Sequence, residues 1–390
     1  MKDRNLAIDI FRGLTMALMI FVNDLWTVHG VPEWMLHTET EADGMGLSDL
    51  VFPMFLFAMG MSIPYAIEKR LANDKSMAET IAHVLQRAFA LIVMGVFLNN
   101  SGRNAIMDKS LFCVLILLCI FLIWNKYPDS FRPARWFRIA GTAGLAILAI
   151  SFRTGHGHMM RAGWWGILGL IGWAYLFAAG AYLLCRKKPW TLVLILLGLC
   201  FVNLTAVEMR SESHWLGKNI LTDFADALNI ENGAHGILAL GGVLTVLAGK
   251  RLEALGSRIA SCRLCIGLAA AAVLAGLGLL CHQGWIISKN IATLPWCLFA
   301  GAISVVLYTI LRALERHGWT AWAKPLSPAG TATLTVYMIP YLFYALRHTL
   351  DIDTPDWLTG GLGLCKCLAF VAICLLITHL LTKINIKLKI

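Results

Sequence analysis

The chain has 390 residues, of which 58% are hydrophobic and only 14% are charged. Soluble globular domains are about one quarter charged, so this composition excludes an ordinary soluble protein. Apolar stretches of about 20 residues, each long enough to cross a bilayer, recur from one end of the chain to the other. We therefore predict an all-α, polytopic transmembrane helical bundle that forms a single integral membrane domain over residues 1–390.

The net charge of +10 follows a topological pattern. If the N-terminus is cytoplasmic, 22 of the 33 Lys and Arg residues fall in cytoplasmic loops and tails, eight on the opposite side and three inside spans. Because cytoplasmic loops are enriched in Lys and Arg, both termini are predicted to be cytoplasmic, and the charge does not indicate nucleic acid as a partner. About 12 spans (10–12) are predicted, near residues 7–26, 49–67, 79–98, 109–124, 139–152, 164–184, 190–207, 234–249, 264–283, 292–311, 331–347 and 359–381.

The first span carries two charged residues one helical turn apart. Asp9 and Arg12 can form an ion pair on one helix face, which lowers the cost of burying both. The alternative is that Arg12, together with Arg87 of the third span, faces a pocket open to the cytoplasm. Because the guanidinium fork matches phosphate oxygens, these two arginines are the candidates for binding a phosphate-bearing ligand.

The first two spans are joined by an acidic loop that contains a histidine. Asn23 and Asp24 end the first span, Asp49 opens the second, and His37 lies between them in a stretch without Lys or Arg. Ionisable residues at the mouth of an apolar span are costly and are functional candidates by default. If the two spans are antiparallel neighbours, their loop should bring Asn23, His37 and Asp49 to one patch at the outward boundary. There a carboxylate can orient one imidazole nitrogen and raise the basicity of the other, and an asparagine amide can stabilise an oxyanion. The simpler interpretation is an interfacial loop with Asp49 as the N-cap of the second helix.

The fifth span, residues 139–152, is short and contains two glycines, but the ordered charge distribution after it favours a crossing. Gly-His-Gly-His at 155–158 is a weak metal candidate, and an anion-binding loop is as plausible because Arg153 and Arg161 flank it. Cys262 and Cys265 form a C-x-x-C without a second ligand pair, so we expect no metal there. Residues 221–228 are predicted to form a helix at the membrane interface.

Several stretches resemble a known family. Residues 7–23 read Ala-Ile-Asp-Ile-Phe-Arg-Gly-Leu-Thr-Met-Ala-Leu-Met-Ile-Phe-Val-Asn, and residues 43–57 read Asp-Gly-Met-Gly-Leu-Ser-Asp-Leu-Val-Phe-Pro-Met-Phe-Leu-Phe. With His37 between them, they resemble the signature of the heparan-alpha-glucosaminide N-acetyltransferase family. Residues 288–296 and 334–338 are similar to later landmarks of that family, whereas the middle of the chain matches only in hydropathy.

The resemblance implies transmembrane acetylation. Cytoplasmic acetyl-CoA would be the co-substrate, an amino sugar or envelope glycan on the far side the acceptor, and the bacterial inner membrane the location, with no metal involved. His37, Asn23 and Asp49 match the family's catalytic histidine, its active-site asparagine and the aspartate that opens the second span. Asp24, Lys289 and Asn290 are then expected to bind the acceptor, and Arg12 and Arg87 the acetyl-CoA. The protein could also assemble as a homodimer, which the sequence does not decide.

The chain also departs from the animal enzyme. After His37 it reads Thr-Glu-Thr-Glu-Ala, the spacing from His37 to Asp49 is about two residues longer, and the large luminal domain is not found. These departures leave the acceptor open. The alternative function is an inner-membrane transporter of an amino sugar or a muropeptide sugar, and a third is the transfer of another acyl group to an envelope glycan. No clear inverted repeat of the transporter kind is visible in the sequence.

The charge distribution generates a topological prediction. In a variant without accessible native cysteines, Glu41→Cys should react with a membrane-impermeant thiol reagent added to the periplasmic side, and Lys187→Cys should not. The reason is that Glu41 lies in the loop after the first span and Lys187 in a basic loop predicted to be cytoplasmic. Labelling of Lys187→Cys but not of Glu41→Cys would invert the topology.

Overall fold

The computed structural model describes residues 5–210, 232–255 and 262–390. This described part contains thirteen α-helices and no β-strand, which confirms the all-α class; the helix predicted over residues 221–228 lies outside it. The helices are α1 (Leu6–Asp24), α2 (Leu47–Ala72), α3 (Met77–Asn100), α4 (Lys109–Trp124), α5 (Ala134–Ser151), α6 (Gly166–Cys185), α7 (Trp190–Arg210), α8 (Ala234–Ala254), α9 (Arg263–His282), α10 (Leu294–Arg316), α11 (Ser327–Thr331), α12 (Thr333–Thr349) and α13 (Gly360–Lys383).

Each of the twelve predicted spans coincides with one of these helices, within a few residues at each end. Seven described helices are long and apolar enough to cross a membrane: α1, α2, α3, α6, α9, α10 and α13. An eighth crossing is reached if residues 321–331 and 333–349, bent by 76°, count as one broken span. The total of twelve spans and the cytoplasmic termini therefore stay predictions.

The fifth helix begins earlier than predicted. It starts at Ala134 after Pro133, five residues before the predicted start at residue 139. The added residues include Arg135 and Arg138. A search for apolar segments leaves such residues out, although arginine has a high helix propensity. The helix thereby reaches 18 residues, still at the lower limit of a crossing.

The described residues fall into two compact units, each assembled from three stretches of chain. Unit 1 comprises Met1–Thr15, Pro32–Ala88 and Ile171–Lys324, and unit 2 comprises Met16–Val31, Phe89–Leu170 and Pro325–Ile390. The single acyltransferase-like domain predicted for residues 1–390 stays a prediction.

In unit 1, helices α2, α8 and α10 run in the same direction. Their first turns meet, since the Trp296 indole donates to the carbonyl of Asp49 at 3.1 Å and the Cys297 thiol lies 3.8 Å from the carbonyl of Ala234. Their last turns meet as well, through an ion pair of Lys250 with Glu68 and a contact between Arg312 and Glu253. We call the first region the Asp49 end and the second the Glu253 end.

Two further helices of unit 1 run the other way. Helix α9 begins beside Glu253 and ends beside Asp43, and α1 begins where the N–H of Leu6 donates to Glu315 at 2.9 Å. Five helices lie between α2 and α8 in the chain. If each of them crosses the membrane once, α8 should run in the same direction as α2, as it does. The 23 residues of α10 extend about 34 Å, close to the thickness of a bilayer's hydrocarbon core.

The core of unit 1 is apolar and tightly packed. Its largest buried members come from α1, α2 and α10, and include Phe11, Phe57, Met61 and Tyr308. At Gly242 of α8 the two helix backbones approach so closely that a Cβ atom would lie 2.1 Å from the carbonyl oxygen of Phe57 in α2. Small residues at helix contacts permit this kind of approach, which strengthens van der Waals packing in membranes.

In unit 2, helix α4 packs against α5 and α12, and α12 packs against α13. The rings of Phe112 and Phe152 lie 5.7 Å apart in its buried interior. The end of α1 joins this unit, and the N–H of Gly360 donates to the carbonyl of His29 at 2.8 Å.

The contact at Gly242 generates a stability prediction. Gly242→Ala should destabilise the protein by about 1–3 kcal/mol, because the added methyl group overpacks the contact between α2 and α8. Gly249→Ala is the matched control on the same helix, since no heavy atom lies within 4 Å of its Cβ position. Thermal unfolding in detergent should show a lower midpoint for Gly242→Ala alone. Equal midpoints would contradict the packing described.

Candidate active site

His37 and Asp49 form the centre of the site. The His37 Nδ1 atom lies 2.6 Å from Asp49 Oδ1. The Asp49 side chain is only 1% exposed, whereas that of His37 is 50% exposed. The sequence predicted that these two residues meet across the loop, and the structure confirms it.

A glycine allows the loop to approach the second helix. Gly46 precedes α2, and a Cβ atom there would lie 2.0 Å from the carbonyl oxygen of Leu36. The Ser48 hydroxyl also donates to the carbonyl of Met35 at 2.6 Å. These contacts hold residues 35 and 36 against the start of α2, so His37 follows directly beside Asp49.

The Asp49 carboxylate is held by several donors besides His37. Its Oδ2 atom accepts from the Thr38 N–H at 3.0 Å, the Thr38 hydroxyl at 2.9 Å and the Gly46 N–H at 3.1 Å. The prediction that Asp49 is the N-cap is wrong, because α2 begins at Leu47 and Gly46 is the N-cap. Asp49 is instead the third residue of the helix, from which its side chain reaches back to the N-cap N–H.

This arrangement fixes the chemistry of the imidazole. A carboxylate is an acceptor only, so at 2.6 Å the Nδ1 atom of His37 must carry the proton. In a neutral ring the lone pair then lies on Nε2. A carboxylate bound to Nδ1 orients the ring and stabilises the imidazolium that forms when Nε2 accepts a proton. This geometry suits the Nε2 atom of His37 to accept a proton from a neighbouring group.

Lys289 and Asn290 lie at the same place, on the segment between α9 and α10. The Lys289 Nζ atom is 3.2 Å from His37 Nδ1 and 3.7 Å from Asp49 Oδ1. The Asn290 amide donates to the carbonyl oxygen of Thr38 and to the hydroxyl of Thr40, both in the His37 loop, at 3.3 Å each. Two predicted acceptor-binding residues thus border the pair of His37 and Asp49.

Asp43 and His282 were not predicted, although they anchor this segment to the His37 loop. Asp43 accepts from the N–H of Ile287 at 2.8 Å and lies 2.8 Å from His282 Nε2. The Ile287 N–H, followed by the His282 ring, lowers the pKa of Asp43 below its usual value. The two residues are 239 positions apart, so no local pattern indicates the contact.

The remaining residues of the predicted patch belong to unit 2. Asn23 is exposed near the end of α1, and its catalytic role stays a prediction. Asp24 is fully buried and bonds to the Lys366 ammonium at 2.7 Å and to the Tyr344 hydroxyl at 2.8 Å. Lys366 is one of the three basic residues that the sequence places inside predicted spans, and its ion pair with Asp24 neutralises both charges.

The two predicted phosphate-binding arginines have separate neighbours in unit 1. Arg12 donates to Asp9 at 3.3 Å, which confirms the predicted ion pair. The Arg87 guanidinium lies over the ring of Tyr175, 4.8 Å from its centroid. Their role in binding a donor stays a prediction.

The metal candidates gain no support from the described residues. No group of three His, Cys, Asp or Glu side chains in the described ranges could hold a metal ion. The rings of His156 and His158 lie 6.4 Å apart, and Cys262 and Cys265 are free and exposed.

The N-terminal half of the chain, including both His37 and Asp49, matches a known family. The family model is described as a domain of unknown function (DUF5009), and it matches residues 4–227, more than half of the chain. The chain belongs to this family. The family is related to the heparan-alpha-glucosaminide N-acetyltransferases, as the resemblance of the first two spans indicated.

Two curated relatives carry that enzyme name. The chain is 34% identical to heparan-alpha-glucosaminide N-acetyltransferase of Mus musculus over 143 residues, which is 33% of this chain and 21% of the mouse protein. It is 32% identical to the Homo sapiens protein of that name over 94 residues, 24% of this chain and 13% of the human protein. The matches thus cover about a fifth or less of each relative.

The contacts of Asp43 generate a prediction about local stability. Asp43→Asn should speed amide hydrogen exchange across residues 285–293 about tenfold, because the Ile287 N–H loses a charged acceptor. Glu41→Gln, in the same loop and exposed, should leave the exchange unchanged. Mass spectrometry of exchanged peptides measures both variants.

The same contact has a defined pH dependence. A carboxyl group whose pKa is lowered by folding contributes stability above its usual pKa near 4, and this stability is lost as the pH falls through the lowered value. The wild type should therefore approach the exchange of Asp43→Asn only below about pH 4. Identical exchange of the two proteins at neutral pH would contradict the contact.

Proposed function

We propose that this protein is a transmembrane acyltransferase that moves an acetyl group from acetyl-CoA to the amine of an amino sugar or envelope glycan. The observation that carries the proposal is the pairing of His37 Nδ1 with the buried Asp49 carboxylate at 2.6 Å. Partial similarity to enzymes named N-acetyltransferases supports the reaction class. The donor, the acceptor and the location in a bacterial inner membrane are parts of the proposal.

In the first form of the reaction, His37 acts directly on the acceptor amine. Its Nε2 atom takes a proton from the amine as the nitrogen attacks the thioester carbonyl carbon. The new C–N bond forms and the C–S bond breaks, and the proton passes from the imidazolium to the departing thiolate to give free CoA thiol. Asp49 stabilises the imidazolium between these two steps.

In the second form, His37 carries the acetyl group. The Nε2 atom attacks the thioester carbonyl carbon, the C–S bond breaks, CoA leaves as the thiolate, and an acetyl-imidazolium forms on His37 beside the Asp49 carboxylate. The acceptor amine then attacks this carbonyl carbon, the bond from carbon to Nε2 breaks and the neutral ring is released. The proton lost by the amine goes to water, and the thiolate takes a proton from water to give the free CoA thiol. The carbonyl oxygen becomes an oxyanion in both forms, and we assign its stabilisation to the amide N–H of Asn23.

The donor and the acceptor are proposed to approach from opposite ends of the protein. Charge distribution in the sequence predicts a periplasmic location for the His37 loop. Lys289 and Asn290 supply N–H donors for the oxygens of a sugar beside His37. Asp24 was the third predicted acceptor contact, and it is not part of the proposal because its carboxylate is fully buried and paired with Lys366. Arg12 and Arg87 are the predicted contacts of the donor, toward the Glu253 end.

Two substitutions test the catalytic pair. His37→Ala should reduce acetyl transfer by about 10²–10⁴-fold, because loss of a positioned acid–base group typically costs that much. Asp49→Asn should cost less, since it keeps the shape of the side chain and loses the orienting charge. His156→Ala, an exposed histidine of unit 2, is the matched control and should retain full activity. Transfer of radiolabelled acetyl from acetyl-CoA to glucosamine measures all three.

The same assay can also favour the alternative function, which is sugar transport. Full acetyl transfer by His37→Ala would remove this residue from catalysis. Absence of any transfer by the wild type, together with sugar uptake that needs no acyl donor, would favour the transporter. Asn23→Ala should lower turnover by about 10²–10³-fold as the oxyanion donor, and an unchanged rate would remove that assignment.

A further inference from the structure

Three arginines converge on one carboxylate oxygen at the Glu253 end of unit 1. The Oε1 atom of Glu253, in the last turn of α8, lies 3.1 Å from Arg263, 3.1 Å from Arg312 and 3.4 Å from Arg316. Arg263 begins α9, and Arg312 and Arg316 are one turn apart near the end of α10. The cluster therefore joins the ends of three helices.

The charges of this cluster are not balanced. Arg312 also donates to Glu315 at 2.6 Å, so three guanidinium groups share two carboxylates. The second carboxylate is partly used elsewhere, because Glu315 accepts from the N–H of Leu6. Among the described residues, the buried Nε atom of Arg263 has no hydrogen-bond partner. The cluster thus retains positive charge and donor capacity around a single oxygen.

A phosphate group satisfies such a cluster better than one carboxylate oxygen. It offers three oxygens and up to two negative charges, so each guanidinium fork can bind its own oxygen. The site is also reachable, since the Glu253 side chain is 41% exposed and the three arginines are 20–36% exposed. Glu253 lies where an oxyanion would bind.

We propose that Arg263, Arg312 and Arg316 form a phosphate-ester site that binds the phosphate groups of the acyl donor, with Glu253 occupying the site when the donor is absent. This inference rests on the proposed function for the identity of the ligand. The site lies at the end of unit 1 opposite Asp49, on the side that the basic loops predict to be cytoplasmic. Phosphate groups held there are the first contact of the donor, from which its acyl arm enters the protein.

Arg12 and Arg87, the arginines predicted from the sequence, lie deeper in their helices than the Glu253 cluster, which favours the cluster as the first contact of the donor phosphates. Arg12 lies six residues into α1, about 9 Å from its first turn, and Arg87 lies ten residues into α3, about 15 Å. A dianionic phosphate is strongly hydrated, so it binds more readily at an exposed helix end than at that depth. Arg12 and Arg87 are then placed along the path of the ligand.

The test measures binding and not turnover. The full chain in a neutral detergent is titrated with coenzyme A and with adenosine 3′,5′-bisphosphate in a calorimeter. Arg316→Gln and Arg263→Gln should each weaken binding of both probes about tenfold or more, because each removes a charge-assisted hydrogen-bond donor. Arg251→Gln removes an equal charge from an exposed site on the same helix as Glu253 and should change affinity less than twofold.

Glu253→Gln separates a ligand site from a structural ion-pair network. If Glu253 competes with the phosphate, its neutralisation should tighten binding of both probes about tenfold. In a purely structural cluster the same change would only lower the thermal midpoint. Unchanged affinity in Arg316→Gln, Arg263→Gln and Glu253→Gln, with acetyl transfer intact, would overturn the inference and leave the proposed function standing.

Anionic phospholipids present the same phosphate chemistry, and a second arm of the test distinguishes them. Co-flotation with vesicles of phosphatidylglycerol and phosphatidylcholine is compared for the wild type and Arg316→Gln. Loss of lipid binding without any coenzyme A binding by the wild type would overturn the assignment to the donor. Coenzyme A binding that is lost in Arg316→Gln would support the site even if no acetyl transfer were found, in which case the proposed function fails by itself.

Discussion

The burial of the Asp49 carboxylate at the start of α2 is the contact on which the site depends. An unpaired charge in that position would cost several kcal/mol. Three donors from Thr38 and Gly46 offset this cost and at the same time fold the preceding loop back onto the helix. His37 is the fourth partner, so the interaction that stabilises the carboxylate also orients the imidazole. Local folding and proposed catalysis therefore use the same hydrogen bonds.

Unit 1 extends this local arrangement into two chemically different ends. The parallel helices α2, α8 and α10 start beside the carboxylate–imidazole pair and finish beside a cluster of arginines. Close backbone contacts, such as that of Gly242 with Phe57, pack α2 and α8 directly against each other. A protein that takes a phosphate-bearing donor from one side and an amino sugar from the other needs such a separation.

Local patterns in the sequence predicted what depends on local structure. Apolar runs indicated all twelve long helices, and the one-turn spacing of Asp9 and Arg12 predicted their ion pair. His37 was expected near Asp49 because it lies only 12 residues before it, in the loop that leads into the second span. The N-cap of α2 was misassigned, since aspartate is common both at the N-cap, where it accepts from the N–H groups of the first turn, and at the third helical position, where it accepts from the N-cap N–H.

Local sequence patterns could not predict the ion pairs between residues that are far apart in the chain. Asp24 and Lys366 are 342 residues apart, and Asp43 and His282 are 239 apart. Each partner by itself resembles an isolated polar residue at a membrane boundary. Only the packing of the helices shows that Lys366 neutralises a buried aspartate and that Asp43 fastens the segment carrying Lys289.

Transfer across a sealed membrane tests the account most directly. Vesicles containing the purified protein are loaded with acetyl-CoA labelled in the acetyl group, and glucosamine is supplied only outside. The account predicts labelled N-acetylglucosamine in the external medium, which is absent with His37→Ala. Product formed only when donor and acceptor share one compartment, or sugar entry into empty vesicles without acetylation, would contradict it.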